Sequence, residues 1–372
     1  MTTPITKTHA LAKYKPLLTL LVGFFAAVGV LSVTHIGPAQ AQSPGVSLST
    51  LAGQVNSLTS QVNTLKSQVT SLQTDNATLK AKTAALTQTG TPGTASALLT
   101  ITGVNVQIVS GSGYTDDGTR GEVSGATLTG LGNLILGYNS LQGGGNDTRT
   151  GSHNLILGDQ NNYSSYGGIV AGYQNTTSGI YASSVGGRQN TASGRFATTG
   201  GGYQNTASNS FASVSSGQNN TASGQYASVS GGVGNTASGA ASSVSGGQLN
   251  TASGQYASVS GGTSNTASGF FASVGGGIFN TASGSDASVG GGRENTASGT
   301  NLPIFTDSSS VSGGVGNTAI GFASSVSGGD SNTAGGSIAS VSGGYGISLG
   351  GIEGWSAGSQ GNTLYSGNFT SP

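Results

Sequence analysis

The motif Asn-Thr-Ala-Ser-Gly-x-x-Ala-Ser-Val-Ser-Gly-Gly-x-x recurs every fifteen residues through most of the second half of this 372-residue chain. Its asparagine stands at Asn175, Asn190, Asn205, Asn220, Asn235, Asn250, Asn265, Asn280 and Asn295, and after one insertion at Asn317 and Asn332. Self-similarity at a fixed period marks a repeat architecture and outranks any residue-by-residue guess at the fold. The alphabet is lean, with 68 glycines, 6% charged residues and no cysteine. Such a composition ordinarily signals a low-complexity chain. Strict recurrence of valine and alanine argues for order instead.

In the unit ending at Asn235, Tyr226-Ala227-Ser228-Val229-Ser230 alternates. Ala227 and Val229 are directed to one side and the serines to the other. Gly231-Gly232 permits a sharp turn at positive φ. Thr236-Ala237-Ser238 reads as a second short strand, closed by Gly239. Two strands and two glycine corners outline one coil of a parallel β-solenoid, and the glycines with their period-two alternation rule out a helical repeat. Stacking at about 4.8 Å sets like residues over like. A valine column then runs Val214, Val229, Val244, Val259, Val274, Val289, Val311, Val326 and Val341. The asparagines form a structural ladder at a corner, where Asn tolerates left-handed geometry and its amide bonds to the next rung. Asn175-Thr176-Thr177 also fits a glycosylation acceptor, but the recurring Asn-Thr-Ala does not. One valine and a few alanines bury little apolar surface per coil, so the repeat itself points to oligomerisation.

Lys7, Lys13 and Lys15 precede an apolar run, Leu17 to Val33, and Ala39-Gln40-Ala41 follows as a cleavage site. This is the layout of a secretory signal peptide over residues 1–41, cleaved after Ala41. An uncleaved N-terminal anchor is the alternative. Either predicts a secreted or cell-surface protein. From Leu48 to Leu86 apolar positions alternate three and four apart. Leu51, Leu58, Leu65, Leu72, Leu79 and Leu86 fill one heptad column, and Leu48, Val55, Val62 and Val69 fill the other, continued by Asn76 and Thr83. Sustained heptads predict an α-helical coiled-coil stalk over 45–88, and valine with leucine plus one seam asparagine leans toward a parallel dimer. Residues 89–129 read as an irregular β-rich connector, 130–345 as the solenoid head and 346–372 as a C-terminal cap.

Signal peptide, heptad stalk and Ser-Val-Ser-Gly-Gly coils together resemble trimeric autotransporter adhesins. The coils look like the YadA-type head, a left-handed parallel β-roll. The segments carrying the likeness are Ala227-Ser228-Val229-Ser230-Gly231 and Asn235-Thr236-Ala237-Ser238-Gly239. Gly132-Asn133-Leu134-Ile135-Leu136-Gly137 and His153-Asn154-Leu155-Ile156-Leu157-Gly158 fit the family's strand better still. The resemblance implies a mainly β fold, a homotrimer in preference to the dimer, and adhesion as the activity. It departs in two respects: no membrane-barrel pattern of alternating strands ends the chain, and the stalk precedes the head.

Net charge is zero, with no basic stripe to hold nucleic acid. Once residues 1–41 are removed, His153 is the only histidine, and a serine nucleophile lacks a base and orienting acid. The expectation is therefore no enzyme, no cofactor and no metal. Asp116-Asp117 with Glu122 could hold calcium, but reads better as a solvated turn. The candidate ligand-contact loop is the insertion between Gly299 and Val311, with Leu302, Pro303, Ile304 and Phe305. Its apolar residues suit either a ligand or a neighbouring subunit. Expected partners are further copies of the chain and an extracellular protein, glycan or surface. The rival functions are an ice- or crystal-surface binder, using Thr236 and Ser238 repeated each coil, and a structural spacer. A tailspike-type enzyme ranks below both, lacking a carboxylate pair in the coils.

Overall fold

A computed structural model describes residues 47–89, 97–117, 127–143, 147–299, 308–358 and 363–364. The signal segment, Leu302–Phe305 of the candidate loop, and Glu122 lie outside these residues. The chain divides into two compact units, residues 1–105 and 106–372.

The first unit carries helix α1, Leu48–Lys82. The Ser47 hydroxyl caps it by accepting the Thr50 N–H at 3.2 Å, and Lys80 and Lys82 sit in the last turn, where cations suit the dipole. At 1.5 Å per residue α1 is about 52 Å long. It buries no residue. Its heptad leucines and valines are all exposed. The helix ends at Lys82, short of the expected 88, and Leu86 belongs to a strand. Strand β1 (Leu86–Thr89) pairs antiparallel with β2 (Leu98–Ile101), Leu86 opposite Ile101. Thr83, Thr87 and Thr89 favour extended backbone over helix. No helix among the described residues is long and apolar enough to cross a membrane.

The second unit is a parallel β-solenoid of about 13 coils. Each repeat coil contributes two two-residue strands, such as Ser228–Val229 and Thr236–Ala237. One sheet of 15 strands stacks the Ser-Val segments and is called the valine sheet below; the other, of 14 strands, stacks the Thr-Ala segments and is the alanine sheet. Register is strict: Val229 pairs with Val214 and Val244, and Ala237 with Ala222 and Ala252. A third parallel ladder of single bridges, Tyr173–Arg188–Tyr203–Gln218–Val233 and onward to Tyr345, completes the coil. Rungs also continue beyond residue 345. Ser348–Leu349, Trp355–Ser356 and Thr363–Leu364 extend the two sheets, so the stretch read as a cap adds strands.

The interior is as thin as the alphabet implies. Val229, Ala222 and Ala227 are buried and have their counterparts in the other coils. The asparagines complete it. Asn235 is fully buried, its N–H donates to Asn220 Oδ1 at 2.9 Å, and its Nδ2 donates to the Gly231 and Gly247 carbonyls at 2.9 Å. Its own Oδ1 accepts the Asn250 N–H at 2.9 Å. The ladder thus satisfies every polar group it buries. The acceptor motif at Asn175 is part of it and is inaccessible to glycosylation. One detail differs from expectation. The left-handed residue is the one before each asparagine, such as Gln204, Asn219 or Leu249, not the asparagine itself.

A few coils break the core rule. Ser184 and Thr199 replace the valine, and Ser242, Ser309 and Ser324 replace the alanine, each with a buried hydroxyl lacking a hydrogen-bond partner. An unsatisfied buried hydroxyl costs about 1–3 kcal/mol. Ser242→Ala is therefore expected to stabilise the protein by about 1 kcal/mol, read as a higher midpoint in urea unfolding.

Candidate functional site

One corner of the solenoid breaks a conformational rule in coil after coil. The stretch Gly224-Gln225-Tyr226-Ala227 is a turn closed by the Ala227 N–H on the Gly224 carbonyl at 3.0 Å. Tyr226 stands third in it with φ 60°. Turns with positive φ at that position favour Gly or Asn, because a bulky side chain there is strained. The sequence alternation had placed Tyr226 at the head of a strand; the strand begins only at Ser228. The same left-handed position holds Tyr181, Phe196, Phe211, Tyr256 and Phe271, with φ between 54° and 59°.

Ring stacking along the axis offsets the strain. Tyr181 to Phe196, Phe196 to Phe211 and Phe211 to Tyr226 lie 5.4, 5.0 and 4.9 Å apart, with interplanar angles of 9–17°. Ala241 interrupts the run, and Tyr256 and Phe271 resume it at 4.8 Å, with Phe270 set edge-on to both. At the other end Tyr166 meets Tyr181 edge-on, and burial raises its phenol pKa above the ordinary value. Each stacked pair adds about 0.5–1.5 kcal/mol beyond its buried area. From Phe211 to Phe271 the rings are open to solvent, Tyr226 being 57% exposed, whereas Tyr181 and Phe196 are half-buried and Tyr166 is buried. Neighbouring faces cover one another, so the ridge presents ring edges and phenol hydroxyls rather than flat faces.

The insertion leaves from this same corner. Gly299 and Ser308, which flank it, occupy the positions of Gly284 and Asp286 one coil earlier. Ser308 keeps the left-handed φ, and its N–H donates to the Ser285 carbonyl at 3.0 Å. Ser288 still pairs with Ser310 and Thr296 with Thr318, so the stack passes the seven extra residues without a slip. The sequence located the insertion; that it shares a corner with the aromatic column is a finding of the structure.

The first coils carry a different cluster. Asp117, fully buried at its side chain, accepts from the hydroxyls of Ser110, Ser112, Ser152 and Thr129 and from the Thr129 N–H at 2.7 Å. Burial alone would raise its pKa, but these hydrogen bonds outweigh it and hold the carboxyl well below the usual range. It is a buried clamp, neither a solvated turn nor a carboxylate with oxygens to spare for calcium. His153 accepts the Ser110 N–H at Nε2, 3.1 Å, which leaves Nδ1 to donate to the Thr115 carbonyl at 2.9 Å. Both ring nitrogens are occupied by backbone. The Asn133 and Asn154 amides brace these early coils: Asn133 Oδ1 accepts the Asn154 N–H and Asn154 Oδ1 accepts the Gly168 N–H. Their repetition within Asn-Leu-Ile-Leu-Gly was the available sequence signal for this second ladder.

On the alanine sheet the outward positions carry Thr236 and Ser238 and their equivalents, the threonines half-buried and in register. Neither a protein-family model nor a curated protein matches this sequence.

Proposed function

We propose that this chain is an exported, non-enzymatic, oligomeric surface protein of adhesin type, acting through multivalent contact. The observation that carries the reading is the aromatic ridge, where tyrosines and phenylalanines occupy left-handed turn positions and Phe211, Tyr226, Tyr256 and Phe271 remain exposed. An exposed aromatic repeated in register from coil to coil offers a partner the same contact at successive rungs. Repetition sums weak contacts into avidity. The insertion on the same corner supplies specificity. Likeness of the coils to the head of trimeric autotransporter adhesins supports the adhesive role and a trimer. The exposed heptad seam of α1 supports self-association through a coiled coil.

The test couples the full chain to beads and measures retention under flow on collagen, on mucin and on bare glass. Deleting residues 301–307, which restores the fifteen-residue coil, is expected to lower retention on the preferred surface at least tenfold while urea unfolding is unchanged. Equal retention of the deleted and parent proteins would favour a structural spacer.

A second reading rests on the alanine-sheet face. Its threonine and serine columns repeat in register at about 4.8 Å along the stack, a lattice-like array of hydroxyls. Thermal hysteresis in the purified protein would support an ice binder; its absence at high concentration would exclude one.

A further inference from the structure

The outward face of the valine sheet changes character along its length. In the repeat coils its side chains are serines such as Ser228 and Ser230, or glycine at Gly275 and Gly290. In the first coils they are aliphatic: Leu134 and Leu136 are 42% and 54% exposed, Leu155, Leu157 and Ile169 are half-buried, and Val185 is 48% exposed. Trp355, 58% exposed, closes the same column at the far end. No charged residue occupies these outward positions in any coil. The alanine-sheet face is uncharged too, but it is hydroxyl-lined almost throughout, with Ile320 its one large exposed aliphatic among the described residues. The aromatic corner carries charge at Arg195, Asp286 and Glu353. The single-bridge ladder carries charge at Arg188, Arg293 and Asp330, so among the described residues of the solenoid only the valine sheet combines an uncharged surface with several large aliphatics open to water.

We infer that the outward face of the valine sheet is where solenoids of this chain pack against one another, leaving the aromatic corner and the alanine sheet outward. The inference rests on the oligomeric reading above and specifies its geometry. Three observations select a second copy as the occupant. A heptad helix that buries nothing has another heptad helix as its natural complement, and such pairing holds the tethered solenoids at high local concentration. The face is periodic and in register from rung to rung, so a partner that matches it along its length must share its rung spacing, as an identical solenoid does. Its size is also adequate. Fifteen strands at about 4.8 Å and roughly 10 Å of width give roughly 700 Å² per copy, close to the ~800 Å² per partner of a standard stable interface. Between Ser258 and Ser312 the glycines open a shallow trough of about 410 Å³, room for side chains of a facing copy.

The chain contains no cysteine, so single thiols report without background. Ser230→Cys and Ser245→Cys place a thiol on the valine-sheet face, and Ser238→Cys and Ser253→Cys place one on the alanine-sheet face. All four serines are exposed in the single chain. The full-length variants are labelled with a polyethylene-glycol maleimide, with reaction in urea as the reference for an open thiol and solution mass measured in parallel. The expected result is an oligomer in which the valine-sheet thiols react at least tenfold more slowly than the alanine-sheet thiols. Equal rates on the two faces in an oligomer of parent mass would overturn this assignment and leave the oligomer standing. Slower reaction on the alanine sheet would do the same. A monomer would overturn both.

Discussion

Asn250→Leu is expected to destabilise the solenoid by about 2–6 kcal/mol, because two buried backbone groups lose their partners at once. The Asn250 amide accepts the Asn265 N–H at 2.9 Å and donates to the Gly246 and Gly262 carbonyls at 2.9 Å. Leucine, similar in volume, leaves the Asn265 N–H and the Gly246 carbonyl buried without a bond. The Gly262 carbonyl is less affected, since it also accepts the Gln248 N–H. Coils exchange stability only with their neighbours, so a broken central rung should also uncouple the two halves. Urea unfolding followed by circular dichroism checks this. A shift in midpoint and a broadened or divided transition are expected; an unchanged curve would show that the ladder contributes nothing.

Gly247→Ala is the second large effect, with about 3–5 kcal/mol lost through left-handed strain and overpacking. Gly247 has φ 87°, and a Cβ built there lies 2.2 Å from the Gly262 carbonyl oxygen and 2.5 Å from Asn250 Nδ2. Neither neighbour can retreat, being the next rung's backbone and the asparagine ladder. The adjacent Gly246 has open space around its Cβ and no positive φ. Gly246→Ala is thus the matched control, expected to lie within about 0.5 kcal/mol of the parent. Similar costs for both would mean that flexibility, rather than close approach, fixes glycine at these corners.

The period made the stacking legible, and with it the valine and alanine columns and the buried asparagines. What escaped was conformation at single residues. Tyr226 extends an alternating pattern, so nothing in its sequence context marks it as the left-handed residue of a turn. The position before each asparagine holds Asn219, Gly234 or Gly316 in three coils but Gln, Leu, Phe, Ser or Glu in the others, a mixture that hides its common geometry. Asp117 was legible as acidic but not as buried, because its hydroxyl partners lie between five and 35 residues away. The end of α1 was misjudged because Leu86 keeps the heptad spacing while its backbone pairs with Ile101. Helical period is a necessary sign of a seam, and a strand partner overrides it.

The undisturbed register on either side of residues 300–307 has a consequence for how such a molecule can change. Every coil meets the same corner with the same turn, so every coil offers an equivalent port for extra residues. Loop closure grows only as (3/2)RT ln n, so lengthening such a segment from seven to fourteen residues costs about 0.6 kcal/mol. The stack acts as a rack on which segments of unrelated sequence can be mounted, moved by whole rungs or multiplied. Such segments can then be exchanged without rebuilding the scaffold that carries them.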